Sequence, residues 1–413
     1  MTTVPLSGDG TARIVAEPLN PATDFDPRYI PWILFFLATS MAVLKVFDTL
    51  PQRVAWLAAD LTAVALFFRY QSQFINLALG NVIFVSWGLI ACVSALWSVA
   101  PGHSLYLGAQ LVMTILIAFL LCIQFRLQQI VEIIFFAMLL SALIAVATVI
   151  LWPPLGIDPV GNWRGGFPHK NVMGDAMVML IVSASCLFLQ GRWRLLTATS
   201  IALGFGLILL TRAATPLLSV MMTLSPLPFA YALLRGRSQF FSLLGIALLV
   251  AIFVGSSLYL AMSFMGFDPI EAVLEWVGKG PTLTGRTILW EMAGRAIEEK
   301  PWLGYGFDAY WVRPPAEMID VYYAFGQQIH HFHNNFLEMA VAYGPTGPIL
   351  LVAGLLVAGA RSIRRAFHAR NPIEIWPLLI IIQITIQAPV QVPLMYNHSM
   401  WLVAFIAAAA ARR

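Results

Sequence analysis

The 413-residue chain is 60% hydrophobic and only 11% charged, with a formal net charge of +4 and a mean hydropathy of +0.80. Soluble domains carry about 25% charged residues, so a soluble globule is excluded, and this small positive balance gives no footing for a nucleic-acid partner. The apolar residues come in blocks of about 20, the length that crosses a hydrocarbon core, and the chain reads as an all-α polytopic membrane protein.

Residues 1–29 form a polar segment, read as a cytoplasmic N-terminal piece. The first apolar block begins near residue 30 with no small-residue cleavage site after it, so it reads as a retained span. Block lengths predict about twelve spans: roughly 31–47, 53–69, 75–97, 104–124, 130–151, 171–190, 195–210, 215–234, 240–264, 335–360, 373–392 and 397–411. Nine of them fill residues 30–264, a long external loop domain occupies 265–334, and three fill 335–413. Cys92, Cys122 and Cys186 lie singly in apolar blocks without metal or CxxC spacing and read as packing residues.

The positive-inside rule tests this map. With both termini in the cytoplasm, Arg126, Arg192, Arg194, Arg361, Arg364, Arg365 and most other cations fall inside, while the short external loops hold only Arg53, Arg164, Lys170 and Arg212. Within the external loop, Ile288, Leu289, Met292 and Ile297 recur near helical spacing over 287–300, predicting a short surface helix stopped by Pro301. Lys45, Asp48 and Asp60, near the early spans, form either a structural ion pair or part of a transport path.

Four external features can carry chemistry. The loop 161–171, GNWRGGFPHKN, brings Arg164, His169, Lys170 and Asn171 to the start of a helix, whose free N–H groups and dipole favour an anion. Arg offers a planar fork of donors and Lys a point charge, which suits a diphosphate, although such cations equally bind lipid headgroups. In TGRTILW, Arg286 sits in a first helical turn, where a cation opposes the dipole and calls for an anionic partner or a surface salt bridge. Arg212 lies between two apolar blocks and either snorkels or faces a polar cavity. The fourth feature is HHFHNNFLEMAVAYGPTG at 330–347. Its His333 and Asn334 precede Glu338, and Gly344 and Gly347 allow close approach of a helix or ligand. A neutral imidazole at a helix mouth can take a proton from a sugar hydroxyl, whereas no carboxylate or thiolate completes a metal set there. His330 and His331 read as loop residues.

Together these motifs resemble the O-antigen ligase and polysaccharide polymerase superfamily. The resemblance runs through SALWSVAPGHS at 94–104, RGGFPHKN at 164–171, GRTILW at 285–290, PWLGYGFDAYW at 301–311, and His333–Asn334 spaced before Gly344 and Gly347. The HKN loop and Gly-Arg-Thr motif are most similar to the exopolysaccharide-production branch. The resemblance implies a GT-C-like glycosyltransferase of the bacterial inner membrane, working on its periplasmic face without cofactor or metal. Its donor is an undecaprenyl-diphosphate-linked glycan, and its acceptor is a second glycan or, in a ligase, the lipid A core. It also implies inner-membrane lipid as surroundings and a flippase and chain-length regulator as partners. Matched by motif, Arg164, Lys170, Arg286 and Arg212 hold the diphosphate and His333 is the general base. His169, Asn171, Asn334, Glu338, Gly344 and Gly347 support them. At Arg212 the chain departs from the family's cation-x-x-x-Leu spacing, because Leu217 comes one residue late.

A secondary transporter is the competing class, since twelve spans with both termini inside is also a carrier topology. Ionisable residues gathered at one face, and a large loop that breaks any symmetry between halves, argue against it. A structural scaffold leaves the external cations unexplained.

Overall fold

The computed structural model describes residues 25–43, 49–159, 161–234, 284–312, 329–392 and 399–410, with Phe47 and Met318. The ninth span at 240–264, Lys45, Asp48 and most of the external loop on either side of 284–312 lie outside the described residues.

Among the described residues the chain is helical, with one isolated bridge between Ile157 and Trp163. The helices are α1 (Ile30–Thr39), α2 (Leu50–Arg69), α3 (Gln71–Leu79), α4 (Val82–Val93), α5 (Pro101–Gln124), α6 (Leu127–Leu151), α7 (Lys170–Gln190) and α8 (Arg194–Thr211). They continue as α9 (Ala214–Leu224), α10 (Leu227–Leu234), α11 (Thr284–Glu299), α12 (Asn335–Tyr343), α13 (Thr346–Phe367), α14 (Trp376–Gln387) and α15 (Ser399–Ala410). Local sequence explains many boundaries. Pro101 opens α5 at a position whose N–H would be unpaired anyway, and left-handed Gly191 closes α7.

Among the described residues, five helices, α5, α6, α7, α8 and α13, are long and apolar enough to cross a membrane. The α3–α4 pair makes a sixth if its 95° bend is taken as one broken span. The chain is therefore an all-helical, multi-pass membrane protein, and the difference from the expected spans has local causes. Helix α1 has only 10 residues, and α2 carries Arg53, Asp60 and Arg69. The eighth expected span breaks between Leu224 and Leu227, next to Pro226, and the tenth breaks at Gly344–Pro345. The helix expected before Pro301 is α11.

Helix α7 is the most buried of the spans and packs against α6, α8, α9 and α14. Helices α4, α2 and α15 pack on α5. Large apolar side chains such as Phe68 and Ile349 point outward, as lipid-facing residues do. At the end where α7 finishes, several cations have structural partners. Arg192 pairs with buried Glu132 at 2.9 Å, Tyr29 donates to the same carboxylate at 3.0 Å, and Arg361 donates to Asn81 at 2.7 Å. The Gly-rich motifs all lie at the other end.

Candidate active site

The site rests on a three-layer backbone weave. Residues 303–308 thread between the 94–104 turn and the end of α12. On one side Val99 N donates to Tyr305 O at 3.0 Å, Phe307 N to Ser94 Oγ at 3.0 Å, and Trp97 Nε1 to Leu303 O at 2.7 Å. On the other, Tyr305 N donates to Val341 O at 2.8 Å and Gly306 N to Ala342 O at 3.0 Å. Small residues are needed where these layers touch. At Gly344, φ is +62° and a Cβ would collide with the Trp302 carbonyl. The sequence reading gave Gly344 and Gly347 to helix or ligand approach. The structure gives Gly344 to the turn that breaks the tenth span, and Gly347 to contact with the Met339 backbone just before it.

This weave holds the histidine strand. Asn334 caps α12, its Oδ1 accepting from Phe336 N at 3.0 Å and Leu337 N at 3.3 Å, and Asn335 N donates to Ala388 O at 2.7 Å just past α14. Phe332 is gripped from both sides. Its carbonyl accepts from Trp290 Nε1 at 3.0 Å, and its N–H donates to buried Glu338, which also accepts from Trp311 Nε1 at 3.2 Å. Three motifs distant in sequence thus meet at the residue before His333. His333 takes a left-handed φ of +54°, an uncommon conformation that the grip on both sides sustains.

Glu338 therefore ties the histidine strand to Trp311. We expect Glu338→Gln to leave one of its two acceptor contacts unmade and to cost about 1–3 kcal/mol. A lower thermal midpoint of the purified protein, with parallel loss of activity, is the readout; an unchanged midpoint would exclude this role.

The His331 and His333 rings lie 4.0 Å apart, and His331 Nδ1 accepts from His333 N at 3.3 Å. His333 Nδ1 is buried without a hydrogen-bond partner among the described residues. Burial, then the charges of His331, Arg286 and His169, push the His333 pKa down to about 2. Burial, then His330 and Arg286, push that of His331 down to about 4. Burial thus favours the neutral form of both rings near neutral pH.

Arg286, in the first turn of α11, acts electrostatically on His169, His331 and His333 alike, so the structure brings TGRTILW, the HKN loop and the histidine strand together. His169 caps α7 through Nδ1, which accepts from Asn171 N at 3.2 Å. Desolvation and then Lys170 lower its pKa, which keeps that cap neutral. Lys170 and Asn171 occupy the first turn of α7.

The loop before them is packed and internally bonded. Gly165 packs against Ala145 and Gly166 against the Ala42 carbonyl, while Asn162 is bonded to Asp158 through both its N–H and its amide at 2.8 Å. Arg164 spends Nε on Leu155 O at 3.0 Å and Nη2 on Pro154 O at 3.4 Å, so part of its guanidinium holds the loop closed. Arg212 caps α8 with φ +48°, is exposed, and lies beside this loop because Trp163 N donates to Leu210 O at 3.1 Å.

Two polar pairs escaped the sequence reading. Asp308 Oδ2 meets His103 Nε2 at 3.0 Å at the weave, joining two of the quoted motifs. Asp175, one turn into α7, accepts from Gln387 of α14 at 2.8 Å. A lone Asp inside the apolar run 171–190 was the available signal for the second; nothing in spacing links residues 103 and 308.

Residues 198–352 match the family model described as O-antigen ligase. The match takes in Arg212, Arg286, His333, Asn334, Glu338, Gly344 and Gly347, whereas the 161–171 loop precedes it. This partial match and the motifs liken the chain to the multi-pass membrane proteins of the O-antigen ligase and polysaccharide polymerase superfamily. The chain is 27% identical over 301 residues to the exopolysaccharide production protein ExoQ of Rhizobium meliloti (strain 1021), covering 70% of this chain and 67% of that protein.

Proposed function

We propose that this protein is a glycosyltransferase that moves an undecaprenyl-diphosphate-linked glycan onto a hydroxyl of a second glycan, extending an exopolysaccharide or O-antigen-type chain. The observation that carries the reading is the meeting of Arg286, the Lys170 helix start and His333, whose Nδ1 has no hydrogen-bond partner among the described residues. The acceptor hydroxyl gives its proton to His333 and its oxygen bonds to the anomeric carbon. The bond from that carbon to the diphosphate oxygen breaks, and the lipid diphosphate leaves with the electron pair. Arg286, Lys170 and Arg212 stabilise the negative charge that develops, with Arg164 adding its charge from the loop. These fixed cations fill the place a metal ion takes in other diphosphate chemistry, so none is required.

Occupancy by the donor also adjusts the base. The diphosphate neutralises Arg286 and removes part of what depresses the His333 pKa, so the imidazole becomes a better proton acceptor when substrate is present. By the positive-inside map the site faces the periplasm, with both termini in the cytoplasm of the inner membrane. A flippase would supply the donor there, and a chain-length regulator would set the product. Similarity to an exopolysaccharide production protein supports polymerisation over ligation to a lipid A core.

The test is purified protein in nanodiscs with a synthetic undecaprenyl-diphosphate-linked repeat unit. A ladder of lengthened products with release of undecaprenyl diphosphate is expected. Transfer to lipid A core alone would make it a ligase. No transfer, with mutation-sensitive uptake of a labelled solute into proteoliposomes, would replace this reading with the transporter one.

A further inference from the structure

We propose that His103 and Asp308 form the acceptor subsite, with His103 Nδ1 receiving a hydroxyl of the incoming glycan; this rests on the glycosyl-transfer reading above. The Asp308 side chain is only 11% exposed while that of His103 is 35% exposed, so the carboxylate lies behind and the imidazole in front. Their contact uses His103 Nε2 and Asp308 Oδ2 at 3.0 Å. An ionised carboxylate accepts only, so Nε2 carries the proton and Nδ1 presents a lone pair. A carboxylate that fixes the tautomer of a partly exposed imidazole is the arrangement that makes histidine a directed acceptor for a substrate O–H.

The backbone is built to keep this pair. Asp308 has a left-handed φ of +54°, and its Oδ1 is buried without a hydrogen-bond partner among the described residues. Neighbouring Phe307 is fixed through its N–H to Ser94 Oγ and through its carbonyl by Ser104 Oγ at 2.8 Å, and Ser104 directly follows His103. A pair serving only to join two segments would be redundant here, because the same segments are already tied by those backbone bonds. Position completes the case. The charge of Asp308 reaches both His330 and Glu338, so the pair borders the histidine strand. A glycan hydroxyl held at His103 thus lies beside the histidine strand.

The experiment uses full-length protein in nanodiscs and a soluble oligosaccharide of the repeat unit as probe, titrated without donor. His103→Asn and Asp308→Asn are compared with the native chain, Asn at 308 being chosen because it tolerates the left-handed backbone. Each variant is expected to bind the oligosaccharide about tenfold or more weakly, as for loss of one directed hydrogen bond, with undecaprenyl diphosphate affinity unchanged. In the transfer assay the acceptor KM should rise by the same factor, with kcat changing less. Unchanged oligosaccharide binding in His103→Asn would overturn the subsite, as would an equal loss of lipid-diphosphate affinity, the mark of a structural role. If the native protein binds the oligosaccharide, and His103→Asn weakens that binding, but nothing is transferred, the glycosyl-transfer reading fails and His103 keeps a glycan-binding role without an acceptor role.

Discussion

Replacing His333 by Asn is expected to reduce glycan transfer by about 10²- to 10⁴-fold, the range for loss of a general base. Asn is the informative choice. His333 sits at φ +54°, where Asn is tolerated, so the strand and the grip on Phe332 survive while the imidazole is lost. Binding of undecaprenyl diphosphate should stay within about twofold, because the cations are untouched. Near-native product ladders from a stably folded His333→Asn protein would remove His333 from the chemistry.

The same histidines set the response to acid. His333 and His331 titrate near 2 and 4 when folded, against about 6.5 in an unfolded chain. Below about pH 6.5 the unfolded state therefore binds protons that the folded state refuses, and folding stability declines as pH falls towards 4. Above pH 7 the two states bind equally and the effect vanishes. Thermal midpoints taken between pH 7.5 and 5 should fall, and a His331→Phe variant should show a shallower fall. A pH-independent midpoint would place both rings in solvent.

The class of the protein was legible because hydrocarbon imposes its own composition, and twenty-residue apolar blocks have few other readings. The span count was less legible. A block such as 335–360 looks continuous in hydropathy, yet Gly344 turns the backbone inside it and splits it into α12 and α13. The site divides in the same way. Arg286 and His333 were visible as chemistry out of place for its local structure, a cation in a first helical turn and an imidazole at the lip of an apolar run. Asn334 and Glu338 were visible as polar residues, but their tasks depend on where Phe336 and Phe332 N–H groups point, which only the folded strand reveals. The His103–Asp308 pair joins positions 205 apart and had no local signal at all.

The charge on Arg286 is the second large lever. Arg286→Ala removes a cation from beside three histidines and from the expected position of the leaving diphosphate. A loss of about 10² to 10³ in turnover is expected, as for removal of one charge-stabilising donor, with weaker donor binding alongside. Arg286→Lys keeps the charge but loses the fork of donors, so it should recover donor affinity more fully than turnover. A further consequence separates this role from a structural one. Arg286 depresses the pKa values of His331, His333 and His169, so its removal must raise all three. Imidazole resonances of the Arg286→Ala protein should move towards titration at higher pH, while those of Arg286→Lys stay near native. If turnover falls but the histidine titrations do not move, Arg286 lies farther from the strand than the structure places it, and its effect on activity has another origin.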